Sequence, residues 1–308
     1  SALRRFSRIM QAIALERTFV IATAAVRRAK NATDFTKPAE DILGTPVTVL
    51  SAQDEARMVT LGLTANLQNI SGLIADLGGG SLELVLVKDG NAQEATSLNM
   101  GHLSNRTKKE IVALLNSVDW LEKLSGAPLY GIGGSFRALG SAYVKRTGYP
   151  LFLLHGLELK SEIAMDILAS LKGDRPDVQG VPDGRRASIG MAAEIMSSLI
   201  ESSGVGKITI SGTSIRDGIV AAMDNSAKPK TDPLLSACRE IAGHSQRFEG
   251  LNELLKECLA PVTGLFEMPD SRRLFEAACL LSDISWNEPP ELRGAVAADR
   301  ILALPIFS

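Results

Sequence analysis

Over the first two thirds of the chain, short apolar runs alternate with stretches whose apolar residues recur every three or four positions, which predicts buried strands separated by helices. Phe19–Thr23 (FVIAT) and Pro46–Leu50 (PVTVL) are short and rich in β-branched residues, hence strands. A helix is expected over about Ala24–Asn31, and another over about Gln53–Leu63 with Ser51 as its N-cap. GLIADL and LELVLV then read as two strands joined by GGGS, and the turn signal Lys88-Asp89-Gly90-Asn91 continues the meander through about Glu94–Met100. Further on come a helix over Lys108–Leu124, a strand at Leu129–Ile132, a helix SFRALGSAYVKR and a helix over Leu157–Leu171. A long helix opens at Asp183 or Gly184 and runs to about Ser202, with Ile189, Ala193, Met196 and Ile200 at helical spacing. The strand KITIS and the helix SIRDGIVAAM close this part.

Such alternation predicts an α/β layer architecture. Small, polar and proline residues replace the apolar pattern at about Asn225–Asp232 (NSAKPKTD), where a linker is expected. Beyond it PLLSACREIAGHS, LNELLKECLAPVTGLF and SRRLFEAACLLSDISW read as helices with no strand between them. The expected division is a first domain over 1–68, a second over 69–226 and a helical one over 227–308.

Composition narrows the function classes. A chain of 308 residues, 45% hydrophobic, has enough apolar surface for more than one core. Its 33 Lys+Arg stand against 35 Asp+Glu, so no global field exists for nucleic acid or an anionic membrane, and any anion site must be local. Cys238, Cys258 and Cys279 lack metal-ligand spacing and read as buried, reduced thiols of a cytoplasmic protein. No apolar run approaches a membrane span. The opening segment sets Arg4, Arg5 and Arg8 around Leu3, Phe6 and Ile9 or Ile13, a pattern shared by transit peptides and surface helices and read here as a surface helix. The missing initiator Met is read as a trimmed or cut chain.

Three stretches carry chemistry. ADLGGGS ends a strand on Asp76 and turns on Gly78, Gly79 and Gly80 before Ser81, which bares several main-chain N–H groups to a phosphate. A carboxylate beside such a cradle calls for a cation, so Asp76, with Glu83, points to Mg²⁺; a tight hairpin with an edge aspartate has the same residues. In GIGGSFRALG, the N–H groups of Gly133, Gly134 and Ser135 open a helix whose dipole attracts anions, though glycine also serves packing there. Ser211-Gly212-Thr213, at a third strand end, is a candidate lining for a nucleotide or phosphate, with N-capping as the favoured local alternative. Arg27 and Asn31 share a helix face, and Arg27 is either a phosphate clamp or a solvated arginine. Glu55, in the first turn of its helix, is either a dipole partner or the base that deprotonates a water.

ATAAVRRAKN, SAQDEARMVTLGL, ADLGGGSLEL, GIGGSFRAL and KITISGTSIRDGIV stand in an order and spacing that resemble the exopolyphosphatase and guanosine pentaphosphate phosphohydrolase family, of the actin-like, sugar-kinase and Hsp70 superfold. The resemblance covers about Phe6–Met223. It implies two actin-like (ribonuclease H-like) domains, the first incomplete, and Mg²⁺-dependent hydrolysis of terminal phosphoanhydrides in inorganic polyphosphate or guanosine pentaphosphate. It implies Glu55 as general base, Asp76 and Glu83 as metal or water-positioning carboxylates, Gly78–Ser81 as cradle, Arg27 as a phosphate ligand, and a homodimer. Three features depart from the family. The chain starts after the family's first glycine/serine hairpin, Ser282 precedes Asp283 where many members have His-Asp, and Gly212-Thr213 replaces bulkier residues. The sequence therefore resembles part of a longer enzyme, and two other functions stay open. One is an ATP-dependent phosphotransferase or ATPase of the same superfold; the other is an inactive phosphate- or nucleotide-binding module.

Overall fold

The computed structural model describes residues 2–304 except 14, 16, 68, 152, 174–175, 224–231, 246, 249 and 262–270. The chain opens with α1 (Ala2–Ala12), β1 (Val20–Ala22), α2 (Ala24–Arg27), α3 (Ala32–Leu43), β2 (Val47–Val49) and α4 (Ala52–Thr64). β1 and β2 pair in parallel, Val20 opposite Val47. α1 lies against α3 with none of its residues buried, and its Phe6 and Ile9 are exposed. α3 falls in a stretch that the periodicity leaves unassigned. Pro38 sits inside it and Ala39 alone is buried, so neither propensity nor an apolar stripe announces it.

A six-stranded sheet follows. Its elements are β3 (Gly72–Leu77), β4 (Leu82–Lys88), β5 (Asn91–Leu98), α5 (Lys108–Leu115), β6 (Pro128–Ile132), α6 (Gly134–Thr147), β7 (Glu158–Lys160), α7 (Ser161–Ser170), α8 (Asp183–Arg186), α9 (Ile189–Ser203), β8 (Lys207–Ile210) and α10 (Ile215–Met223). The strand order is β5-β4-β3-β6-β8-β7. β3, β6 and β8 run parallel, while β4, β5 and β7 are antiparallel to their neighbours.

Side chains alternate between the two faces of a strand. Leu73, Ala75, Leu77, Leu82 and Leu84 enter the larger core with Phe136, Leu139 and Leu199 of α6 and α9. Ile74, Val85 and Val87 face the other way, onto Ala56, Val59 and Leu63 of α4. Burial on both faces explains why GLIADL reads as a nearly continuous apolar run.

Four expected helices before the linker are revised. The expected Ala24–Asn31 helix is the four-residue α2. Lys108–Leu124 divides into α5 and a 3₁₀ turn at Leu121–Leu124. Leu157–Leu171 begins as the edge strand β7, since Glu158–Lys160 alternate exposed, buried, exposed. Asp183–Ser202 is interrupted at Ala187–Ser188, which separates α8 from α9.

The expected linker lies almost wholly outside the described residues. After it come α11 (Pro233–Ser245), α12 (Leu251–Leu259), α13 (Ser271–Leu280) and α14 (Arg293–Ala303), the last not foreseen; α13 stops short of the expected Trp286, and the end of the expected LNELLKECLAPVTGLF helix lies outside the described residues. Their core gathers Cys238, Ala277, Leu280, Leu281 and Ile284. All three cysteines are free thiols, but Cys258 is exposed rather than buried.

Candidate active site

Strand parity places the acidic residues. Asp76 follows Ile74 by two positions and Glu83 precedes Val85 by two, so both project to the face that α4 covers, just past the end of its apolar patch. Glu55, in the first turn of α4, is buried at 7% exposure on that same side. Asp76 and Glu83 are direct cross-strand partners, a like-charge pairing that costs stability unless a cation offsets it.

The electrostatics agree. Burial raises the Asp76 carboxyl from 3.8 to about 6, the Glu55 charge adds to this, and Arg137 opposes it. Burial also raises Glu83; a hydrogen bond from Ser81 offsets part of this, and the charges of Asp76 and Glu55 push further upward. Ser97 Oγ donates to Glu83 Oε1 at 3.2 Å and in turn accepts from Arg28 Nη2 at 2.8 Å. Arg27 Nη1 donates both to Glu55 Oε2 and, at 2.8 Å, to the Leu50 carbonyl. Arg27 thus holds the carboxylate in place, and it meets the site through Glu55. Asp54 is spent elsewhere: its N–H and carboxylate form a capping pair with Ser51 Oγ, at 3.1 and 2.6 Å.

Two glycine-built loops border these carboxylates. In Gly78–Ser81 the Gly78 N–H donates to the Ser81 carbonyl at 3.0 Å, and a Cβ on Gly80 would meet no atom within 4 Å, so main chain faces open space. At the start of α6, Gly133 has φ +91° and no side chain caps the helix, which leaves first-turn N–H groups for an anion. A Cβ on Gly133 would fall 2.7 Å from Asp76 Oδ1, so this loop abuts the acidic cluster. Gly131 has another reason: the Phe136 ring occupies the space its Cβ would need, at 2.2 Å. Ser135 is buried in the same turn.

Two other predicted stretches use their polar groups locally, although the Ser211 N–H donates to the Gly131 carbonyl at 2.8 Å and so adjoins the second glycine loop. Asn31 is an exposed N-cap residue of α3 with no side-chain cap bond. Ser211 and Thr213 are buried and bonded to each other, Oγ to Oγ1 at 2.7 Å, while the Gly212 N–H donates to His155 Nδ1 at 3.1 Å. The polar groups there serve the turn into α10.

The sequence profile of the Ppx/GppA phosphatase family matches residues 1–227. The chain belongs to this family. A curated relative, a guanosine-5'-triphosphate,3'-diphosphate pyrophosphatase of Pseudoalteromonas atlantica, is 26% identical over 238 residues, covering 72% of this chain and 47% of the relative. The chain therefore spans about half the length of that relative. Among solved structures, an exopolyphosphatase from Cytophaga hutchinsonii superposes with a TM-score of 0.59 at 18% identity, covering 72% of this chain and 79% of the other. A Ppx/GppA enzyme of Aquifex aeolicus superposes at 0.56 and 23% identity, covering 72% and 80%. Membership of the family and these likenesses establish the fold, the actin-like α/β architecture that the motifs implied.

Within this Ppx/GppA frame, sequence reasoning overlooked three residues. Arg137, one turn into α6, is the cation that opposes the rise of Asp76. Arg185 reaches back from α8 until its guanidinium lies where a Cβ on Gly134 would be, Nη2 at 2.3 Å. His102 meets that guanidinium, Nε2 to Nη1, at 2.8 Å. The run DGRR at a helix start was the one available signal for Arg185, and reading α8 and α9 as one straight helix concealed it.

Proposed function

We propose that this chain carries the centre of a phosphoanhydride hydrolase that releases orthophosphate from the end of inorganic polyphosphate, with guanosine pentaphosphate as the alternative substrate. One observation carries the reading. Glu55, Asp76 and Glu83 gather beside two glycine-built loops, the Gly78–Ser81 hairpin and the start of α6 that no side chain caps. Carboxylates next to an anion seat repel the anion unless a cation and a reacting water stand between them.

In this reading the terminal phosphate rests on Gly78–Ser81, and the first turn of α6 takes oxygens further along. Arg27 engages Oε2 of Glu55, which leaves Oε1 for the water. Glu55 accepts a proton as the water oxygen bonds to phosphorus in line with the bridging oxygen; the bond to that bridging oxygen breaks, and orthophosphate separates from the shortened chain. Among the described residues no three His, Cys, Asp or Glu side chains form a metal cluster by themselves. Mg²⁺ needs less: one or two carboxylates, with water and phosphate oxygens completing its shell. The raised carboxyl of Asp76 and its cross-strand partner Glu83 fit that demand. When bound, the ion supplies neutralisation of the charge spread over the equatorial oxygens.

Free thiols at Cys238, Cys258 and Cys279 accord with a cytoplasmic setting, and among the described residues no helix is long and apolar enough to cross a membrane. A homodimer is proposed on family grounds alone.

The test is phosphate release from long-chain polyphosphate and from guanosine pentaphosphate with Mg²⁺, for the chain and its Glu55→Gln variant. Release that requires Mg²⁺ and falls at least about 10²-fold in the variant is expected. Turnover of ATP with both other substrates untouched would establish a phosphotransferase instead. Binding without release by the unaltered chain would make it a binding module.

A further inference from the structure

Arg185 is a cation outside every ion pair described above. Among the described residues it forms no ion pair, although it is half-buried. Its guanidinium occupies the space above Gly134, Nη2, Cζ and Nε lying 2.3, 2.5 and 2.7 Å from the position a Cβ would take. Every residue type but glycine would displace it.

Arginine has donors and no acceptor, so in the 2.8 Å contact it is His102 Nε2 that accepts. The ring is therefore neutral, with its proton on Nδ1, and burial together with the Arg185 charge holds its pKa below the ordinary histidine value. The backbone of His102 is anchored on the other loop: its N–H donates to the Gly78 carbonyl, and that of Leu103 to the Gly79 carbonyl, both at 3.0 Å. Gly101 packs so closely that a Cβ there would fall 2.3 Å from Gly79 O. The imidazole thus moves with the Gly78–Ser81 hairpin, while the guanidinium it grips belongs to the α6 side.

We propose that His102 is a positioning residue that holds Arg185 across the gap between the two glycine loops, so that the guanidinium seats the phosphate next to the terminal one in a linear phosphate chain. This rests on the phosphate-chain reading of the site. Gly133 borders Asp76, and Gly134 borders Arg185. The two borders belong to adjacent residues, so the acidic cluster and the guanidinium adjoin along the same glycine loop.

The probe is tripolyphosphate, with orthophosphate as the one-unit control, followed by titration calorimetry of the metal-loaded chain. His102→Phe keeps a flat ring but offers no acceptor; His102→Gln offers an amide oxygen. Arg185→Gln removes the cation. We expect His102→Phe and Arg185→Gln each to weaken tripolyphosphate about tenfold and orthophosphate less than about twofold. His102→Gln should stay within about threefold of the unaltered chain. The double variant His102→Phe/Arg185→Gln should be no weaker than Arg185→Gln alone, because the two act as one unit.

Unchanged tripolyphosphate affinity in His102→Phe overturns the proposal, as do equal losses for both probes or full additivity in the double variant. A Gln variant as weak as the Phe variant also overturns it, by showing that the acceptor does not matter. If the unaltered chain binds orthophosphate but gains nothing from the longer probe, the second seat is absent. If it binds neither, the phosphate reading of the whole site falls first.

Discussion

Replacing Gly218 by alanine tests how far the position of Glu55 depends on a single helix crossing. α4 and α10 meet main chain to main chain. A Cβ on Gly218 would fall 1.7 Å from the Met58 carbonyl oxygen and 2.9 Å from its Cα, and one on Gly62 would fall 2.9 Å from Gly218 N. Ordinary contact begins near 3.4 Å, so the methyl group must part the helices by about 1.7 Å, since main chain has no rotamer by which to yield. Overpacking costs about 1–3 kcal/mol, and the obstacle here justifies the upper value. Alanine returns about 1 kcal/mol of helix propensity. The net loss is about 2 kcal/mol, which lowers Tm by roughly 3 °C in a chain of this size. With Glu55 in the role of base proposed above, the kinetic effect is larger. Met58 lies one turn beyond Glu55 on α4, and about 1 Å of misplacement at a reacting group costs about 10²-fold in rate. Thermal unfolding and Mg²⁺-dependent phosphate release measure the two effects, with Gly243→Ala in α11 as control, since nothing lies within 4 Å of a Cβ there. If Gly218→Ala melts and turns over like the unaltered chain, the crossing does not fix Glu55 and the reasoning fails.

Asp76→Asn should stabilise the metal-free protein. The carboxyl is raised from 3.8 to about 6, so the folded state holds the proton more tightly than the unfolded one, and ionisation weakens the fold as pH rises through that window. The variant should gain roughly 2–3 kcal/mol at pH 7.5, allowing for partial solvent contact, and nothing at pH 3.5; urea unfolding at both values checks this. Arg27→Met strands the buried Glu55 carboxylate and should cost about 3 kcal/mol, part of which returns in Arg27→Met/Glu55→Gln. Urea midpoints of the two variants decide the matter. Gly131→Ala drives a Cβ into the Phe136 ring and should cost about 2 kcal/mol, seen in Tm. Gly134→Ala first meets the movable end of Arg185, so it should leave Tm within about 2 °C while weakening tripolyphosphate several-fold.

Much of this architecture was legible because its signals are local. The hairpin around Gly78–Gly80, the strand before Gly133 and the Ser51 cap each announce themselves within a few residues, and the structure has the Ser51 side chain accepting from the Asp54 N–H. Choosing Glu55 over Asp54 needed the family resemblance, because two adjacent carboxylates in a first turn look alike in sequence. The fold separates them by burial: Glu55 lies inside against Arg27, while Asp54 stays exposed on its cap. β7 was missed because three alternating residues running into a helix carry no period of their own. His102 and Arg185 were missed for a different reason. They are 83 positions apart, and only the packing of α8 against the α6 turn brings them together.

The parity that sends Asp76 and Glu83 toward α4 also bears on how reliably the chain folds. A hairpin that slipped as a unit by one residue against β6 would turn both carboxylates into the apolar space now filled by Leu73, Leu84 and Phe136. Each stranded carboxyl would cost several kcal/mol. Leucine and isoleucine on either side of the sheet would tolerate such a slip far better. The two acids thus act as a proofreading device for strand register, rejecting misaligned pairings before any substrate is bound.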